Sequence, residues 1–159
     1  MHPRAQQLIE TLKLSPHPEG GYYREVYRSE LLVHSAKVDQ PRASITDIYF
    51  LLVADQVSRW HRVAHDELWN FYEGDELVVH QLSSDQQSYS HYRLDSQTAT
   101  YKHLVPAGYW QSAETSGEYT LVGCTVAPGF DFDDFRMMKE LPETAERVYA
   151  DYPDLARFI

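Results

Sequence analysis

Residues 60–77, WHRVAHDELWNFYEGDEL, decide the reading of this chain. From Asp66 the passage alternates: Glu67, Trp69 and Phe71 fall on one face of an extended strand, and Leu68, Asn70 and Tyr72 on the other. A glycine at 74 ends it. A carboxylate sharing an inward face with aromatic rings is costly unless it is paired, protonated or bound to a cation. Glu67 is therefore a candidate functional residue. His61 lies near the start of this strand or at the end of the preceding turn, and converges with Glu67 if the strand is continuous. His65, beside Asp66 at a turn before the strand, reads as a surface histidine.

On either side the same short extended runs recur: YYREVYR, SITDIYFLLV, ELVVHQL, YSHYRL, TYKHLVP and YTLVGCTVAP. Turn-forming clusters such as EGD, SSDQQ, PAG and TSGE separate them, which is the rhythm of an antiparallel sandwich or barrel. An amphipathic helix is expected over residues 3–14, with Ala5, Leu8, Ile9, Leu12 and Leu14 at near-helical spacing after a proline. Short helices close the chain after Pro142, broken by Pro153. The fold class is all-β, with helices only at the two ends.

The sequence has 159 residues, enough for one domain over 1–159 and too few for two comfortable ones. With 24 acidic and 14 basic residues the formal charge is −10, which disfavours nucleic acid and anionic membrane surfaces as partners. The one cysteine, Cys124, excludes an internal disulfide, and its apolar setting points to a packed thiol. The first residues lack the apolar run of a signal peptide and no window approaches a membrane span, so a cytoplasmic location is expected. Asp131, Asp133 and Asp134 alternate with Phe130, Phe132 and Phe135, which reads as a solvated face over buried rings.

His61, Glu67 and Gly74 have the spacing of the first cupin motif, and Pro106 and Gly108 in VPAGYWQ resemble the second. The match departs from the motif at Val63 and Gln111, where metal-binding histidines would stand, and at Asp55, where a glycine would. The phrases PHPEGGYYREVYRS, HRVAHDELWNFYEGDEL, VPAGYWQSAE and LVGCTVAPGFDFDDF resemble the family of small, functionally uncharacterised cupins of bacteria, fungi and plants, over about residues 5–140. That resemblance implies a cupin-type jelly-roll β-sandwich barrel with a pocket, and usually a homodimer. It implies no settled reaction.

Three functions fit these residues. In the first, a metal-poor pocket binds a small polar, carbohydrate-like ligand and moves a proton, as in the cupin-fold sugar-nucleotide epimerases. His61 and Glu67 would be catalytic there, with Tyr22, Tyr23 or Tyr119 donating to a developing enolate. In the second, His61, Glu67 and His65 hold a metal in a metal-dependent enzyme. In the third, the pocket binds without chemistry. The expected ligand-binding residues are Tyr22, Trp69, Phe71, Trp110, Gln111 and Tyr119. Because Val63 and Gln111 replace two ligands, no tightly bound metal and no other cofactor is expected. The partners expected are a small-molecule ligand and a second copy of the chain.

Overall fold

The computed structural model describes residues 1–159. Helix α1 (Pro3–Leu12) is followed by thirteen strands. These are β1 (Ser15–Pro16), β2 (Tyr22–Arg28), β3 (Leu32–Ser35), β4 (Gln40–Ala43), β5 (Thr46–Val53), β6 (Val57–Arg62) and β7 (Asp66–Gly74). Then come β8 (Leu77–Leu82), β9 (Tyr89–Leu94), β10 (Lys102–Val105), β11 (Trp110–Thr115), β12 (Tyr119–Ala127) and β13 (Arg136–Met137). Helix α2 (Pro142–Asp151) and a 3-10 segment, Pro153–Phe158, end the chain. No helix is long and apolar enough to cross a membrane.

Six strands form one antiparallel sheet in the order β1-β2-β5-β12-β7-β10, and five form a second, β13-β6-β11-β8-β9. β3 and β4 pair as a separate hairpin. The two large sheets pack face to face as a jelly-roll sandwich of cupin type. Between them lies a dry core that includes Phe50, Leu52, Trp69, Phe71, Leu77, Val79, Leu94 and Val122. α1 covers part of the outer face of the six-stranded sheet through Ala5 and Leu8 against Leu51, Val53 and Leu121. The closing helices cover the other sheet, where Met138, Val148 and Phe158 bury Trp60 and Trp110.

Four strands differ from the sequence reading. The β3–β4 hairpin, β6 and β11 were absent from the expected runs, so His61 and Glu67 do not share a continuous strand. His61 belongs to β6 in the five-stranded sheet and Glu67 to β7 in the six-stranded one. The turn over 63–65 ends one strand and starts the other, and a β-bulge hides β6 from the sequence pattern. β11 pairs Gln111 with His61 but Ala113 with Ser58, so β6 carries one extra residue and loses its period-two pattern. At Asp55, where the motif has glycine, the chain is left-handed with φ 66°. Aspartate is among the few residues that tolerate that region, which accommodates the departure.

Candidate functional site

The bulge in β6 places Ser58 and His61, three residues apart, on the same inward face instead of opposite faces. Both reach one carboxyl group. Ser58 Oγ donates to Glu19 Oε1 at 2.7 Å, and His61 Nε2 lies 3.2 Å from Glu19 Oε2. Glu19 arrives on the loop HPEGG, which is pressed against β6: Arg59 N donates to Glu19 O at 2.8 Å. Gly20 permits the approach, since a Cβ there would stand 2.1 Å from the Val57 carbonyl oxygen and φ is +111°. His17, on the same loop, has Nδ1 3.4 Å from Glu19 Oε2, and that nitrogen also accepts from the Glu19 backbone N–H at 3.3 Å.

Glu67 faces this cluster from the opposite sheet. Its Oε2 accepts from Gln111 Nε2, and Gln111 Oε1 accepts from Trp69 Nε1 at 2.8 Å. Gln111 stands beside His61 in the five-stranded sheet and so ties the two sheets together. Of these residues His17, Glu19, His61 and Glu67 border a cavity of about 350 Å³, at the small end of the range for ligand sites. Its walls include Tyr23, Phe50, Val63, Cys124 and the rings of Phe130, Phe132 and Phe135, with Arg24, Glu25 and Arg28 also lining it.

Burial sets the proton affinities. It pushes Glu19 up to about 8, opposed only by the Ser58 hydrogen bond. It pushes Glu67 up to about 7, while His61 pulls it down and Glu19 raises it further. His17 is pushed down to about 3 by burial and by His61, and His61 is held below the ordinary histidine value by burial. His61 Nδ1 lies 2.7 Å from the Arg59 carbonyl oxygen, so Nδ1 carries the hydrogen and Nε2 keeps its lone pair. At neutral pH the pair is then a carboxylic acid donating to an imidazole. Burial likewise raises the Cys124 thiol, which is no thiolate nucleophile.

The expected ligand-binding aromatics lie elsewhere. Tyr22 packs with α1 on the outer face, and Tyr119 does the same while donating to Glu73 Oε1 at 3.2 Å. Trp110 faces the closing helices, with the Arg62 guanidinium 4.8 Å above its ring. Trp69 and Phe71 point inward, into the dry core and not the cavity. Gln111 sits behind Glu67, fully buried. Of the three candidate donor tyrosines, only Tyr23 lines the cavity. His65 is buried, 2.6 Å from Ser35 Oγ, because the β3–β4 hairpin covers it. Phe132 is 50% exposed, so the three phenylalanines wall the cavity and are not rings sealed under a solvated face.

The sequence assigns no site role to His17 or Glu19: the two glycines of PEGG read either as a tight turn near the barrel mouth or as a plain connector, and the acid has no alternating strand to give it a direction.

A family profile described as "Cupin superfamily (DUF985)" matches residues 6–138. The chain belongs to this cupin family. A hypothetical protein from Leishmania major has a solved structure that superposes on this cupin with a TM-score of 0.83, at 31% identity, covering 98% of this chain and 96% of that one. Protein SO0799 of Shewanella oneidensis gives 0.79 at 34% identity, over 96% and 92%. The uncharacterized protein YML079W of Saccharomyces cerevisiae is 26% identical over 163 residues, 84% of this chain and 75% of the yeast one. These names state no reaction.

The metal centre typical of the superfamily does not fit the residues of this cupin. Val63 contributes a hydrocarbon wall, and the Gln111 amide spends its nitrogen on Glu67 and its oxygen on Trp69. His17 Nδ1 is taken by a backbone N–H. No three histidine, cysteine, aspartate or glutamate side chains are arranged to hold an ion.

Proposed function

We propose that this cupin binds a small, polar, carbohydrate-like carbonyl compound in the cavity between its sheets, and that Glu67, Glu19 and His61 move a proton on it. The observation that carries the reading is the 3.2 Å contact between Glu19 and His61, facing a second buried carboxyl across one cavity. A general base works best when its pKa lies near the working pH, and Glu67, at about 7, meets that condition.

With Gln111 holding Oε2, the other oxygen of Glu67 is the group that takes a proton from the carbon beside the carbonyl. The Glu19 proton, already hydrogen-bonded to His61, is the one available to the developing enolate oxygen. His61 accepts and returns protons through Nε2, while the Arg59 carbonyl fixes its tautomer. Return of a proton to the same carbon gives exchange or epimerisation, and return to the neighbouring carbon gives isomerisation. Half of the lining residues are hydrophobic, and Tyr23 is the tyrosine on the wall available to a hydroxyl of the ligand.

The test is solvent deuterium uptake into keto-sugars and keto-sugar nucleotides, read by proton NMR. Enzyme-dependent uptake that Glu67→Gln abolishes supports the reading. Saturable binding with no uptake in any of them makes this a binding protein and overturns the proton-transfer step.

A further inference from the structure

A second group of cations lies on the reverse side of β6 from the acid–base cavity. β13 pairs with β6 so that Arg136 stands directly opposite Arg62, and β11 places Trp110 opposite Arg62 on the other side. Like charges at directly opposed positions of an antiparallel pair repel and weaken the pairing. Here the two arginines nevertheless line one open cleft of about 410 Å³, joined by Lys37 from the turn between β3 and β4. Val63 lines both this cleft and the main cavity, so the two sites are back to back.

The charges around this cleft are unevenly satisfied. Arg4, Arg28, Arg42, Arg93 and Arg157 each have a carboxylate partner. Lys37, Arg62 and Arg136 have none within 4.0 Å; Lys13, Arg24, Arg59, Lys102, Lys139 and Arg147 also lack one, and what distinguishes the three is that they converge on a single cleft. Asp134 borders the cleft, but both its oxygens are taken by Arg42, at 2.7 and 2.8 Å. Asp133, the other acid there, makes no salt bridge within 4.0 Å. Arg62 is held in place by its stacking on Trp110.

We propose that this cleft binds a phosphate-type oxyanion, free or as the end group of a small phosphomonoester. Arg136 Nη1 donates to the Phe135 carbonyl oxygen at 2.7 Å, which leaves the rest of its guanidinium and that of Arg62, from facing strand positions, to meet such a group, with the Lys37 ammonium as a third, point-like contact. A doubly charged anion between Arg62 and Arg136 converts their repulsion into shared attraction. The inference does not depend on the reading of the main cavity, from which β6 separates the cleft.

The experiment titrates inorganic phosphate into the full chain by calorimetry, with sodium chloride at matched ionic strength as control, and repeats it with glucose 6-phosphate. The expected result is saturable one-site binding with a dissociation constant of about 1 mM or lower. Arg136→Gln and Lys37→Gln, both surface changes, each weaken it by about tenfold or more, and Arg24→Gln in the main cavity leaves it unchanged. Equal affinity for the two compounds identifies the bare phosphate as what is read. Tighter binding of glucose 6-phosphate identifies a phosphomonoester, and either result supports the site. No saturation beyond the chloride control overturns it, and so does binding that survives both cleft variants or is lost in Arg24→Gln.

Discussion

Glu19 Oε2 and His61 Nε2 lie 3.2 Å apart with both side chains almost wholly buried, so the two groups divide one proton between them in a space that water barely reaches. Each is displaced toward its neutral form, the acid upward and the imidazole downward. The stability of the protein is tied to that arrangement.

Folding stability should be greatest between about pH 4.5 and 6.5. Glu19 and Glu67 rise from 4.5 to about 8 and about 7, so their contribution is complete below 4.5 and is lost as pH climbs through 7 to 8. His17 falls from 6.5 to about 3, so its contribution is complete above 6.5 and is lost as pH drops toward 3. Inside the window the two slopes oppose each other. Melting temperatures from pH 4 to 9 check this. A curve that rises from pH 6 to 8.5 would refute it, as would a Glu19→Gln variant that keeps the alkaline decline at full slope.

Glu67→Gln should leave the fold intact, because glutamine has nearly the same volume and its amide oxygen can still accept from Gln111. The base, however, is gone. Deuterium uptake should fall by about 10²- to 10⁴-fold, the usual contribution of a positioned general base, with ligand binding also weakened. Unchanged uptake in a folded variant would transfer the role to another group.

Ser58→Ala removes the one hydroxyl that holds Glu19 Oε1 and leaves a buried acceptor unsatisfied. A loss of about 1–3 kcal/mol in denaturant unfolding is expected. Because that hydrogen bond also lowers the Glu19 pKa, the alkaline limb of any pH–activity profile should move upward in the variant. A stability loss without movement of that limb would reduce Ser58 to a packing role.

A homodimer is expected in solution. On the outer face of the six-stranded sheet, Tyr72 is 47% exposed and Leu104 49%, and Tyr27 on β2 is 54% exposed. Such rings and aliphatic groups are typical of surfaces that pair. Light scattering at micromolar concentration should return twice the 18.5 kDa chain mass, and a monomer would count against the expectation.

The alternation along β7 was legible because each strand residue must point to one face or the other, and Glu67, Trp69 and Phe71 do point inward together. The same rule argues against pairing neighbours in one pocket. Trp110 and Gln111 are adjacent, and with Gln111 turned inward Trp110 has to face the closing helices. Tyr119 beside the buried Thr120 is a second instance. What alternation does not reveal is whether an inward residue meets a void or a partner, which depends on the opposite sheet. Trp69 and Phe71 meet side chains, whereas Glu67 meets the cavity. β6 is hidden because a bulge erases its period, and Glu19 has no readable direction because it travels on a loop.

Gln111 reaches from one sheet to the other immediately behind Glu67, with Trp69 beyond it. It therefore acts as a brace behind the chamber wall: Glu67 on its near side faces the open space, and Trp69 on its far side belongs to the dry core. One side chain that takes no part in moving protons separates the two. A shorter residue at this position would lengthen the chamber toward Trp69 without removing Glu19, His61 or Glu67. A barrel built this way can change the length of molecule it admits by altering one position, while its chemistry stays the same.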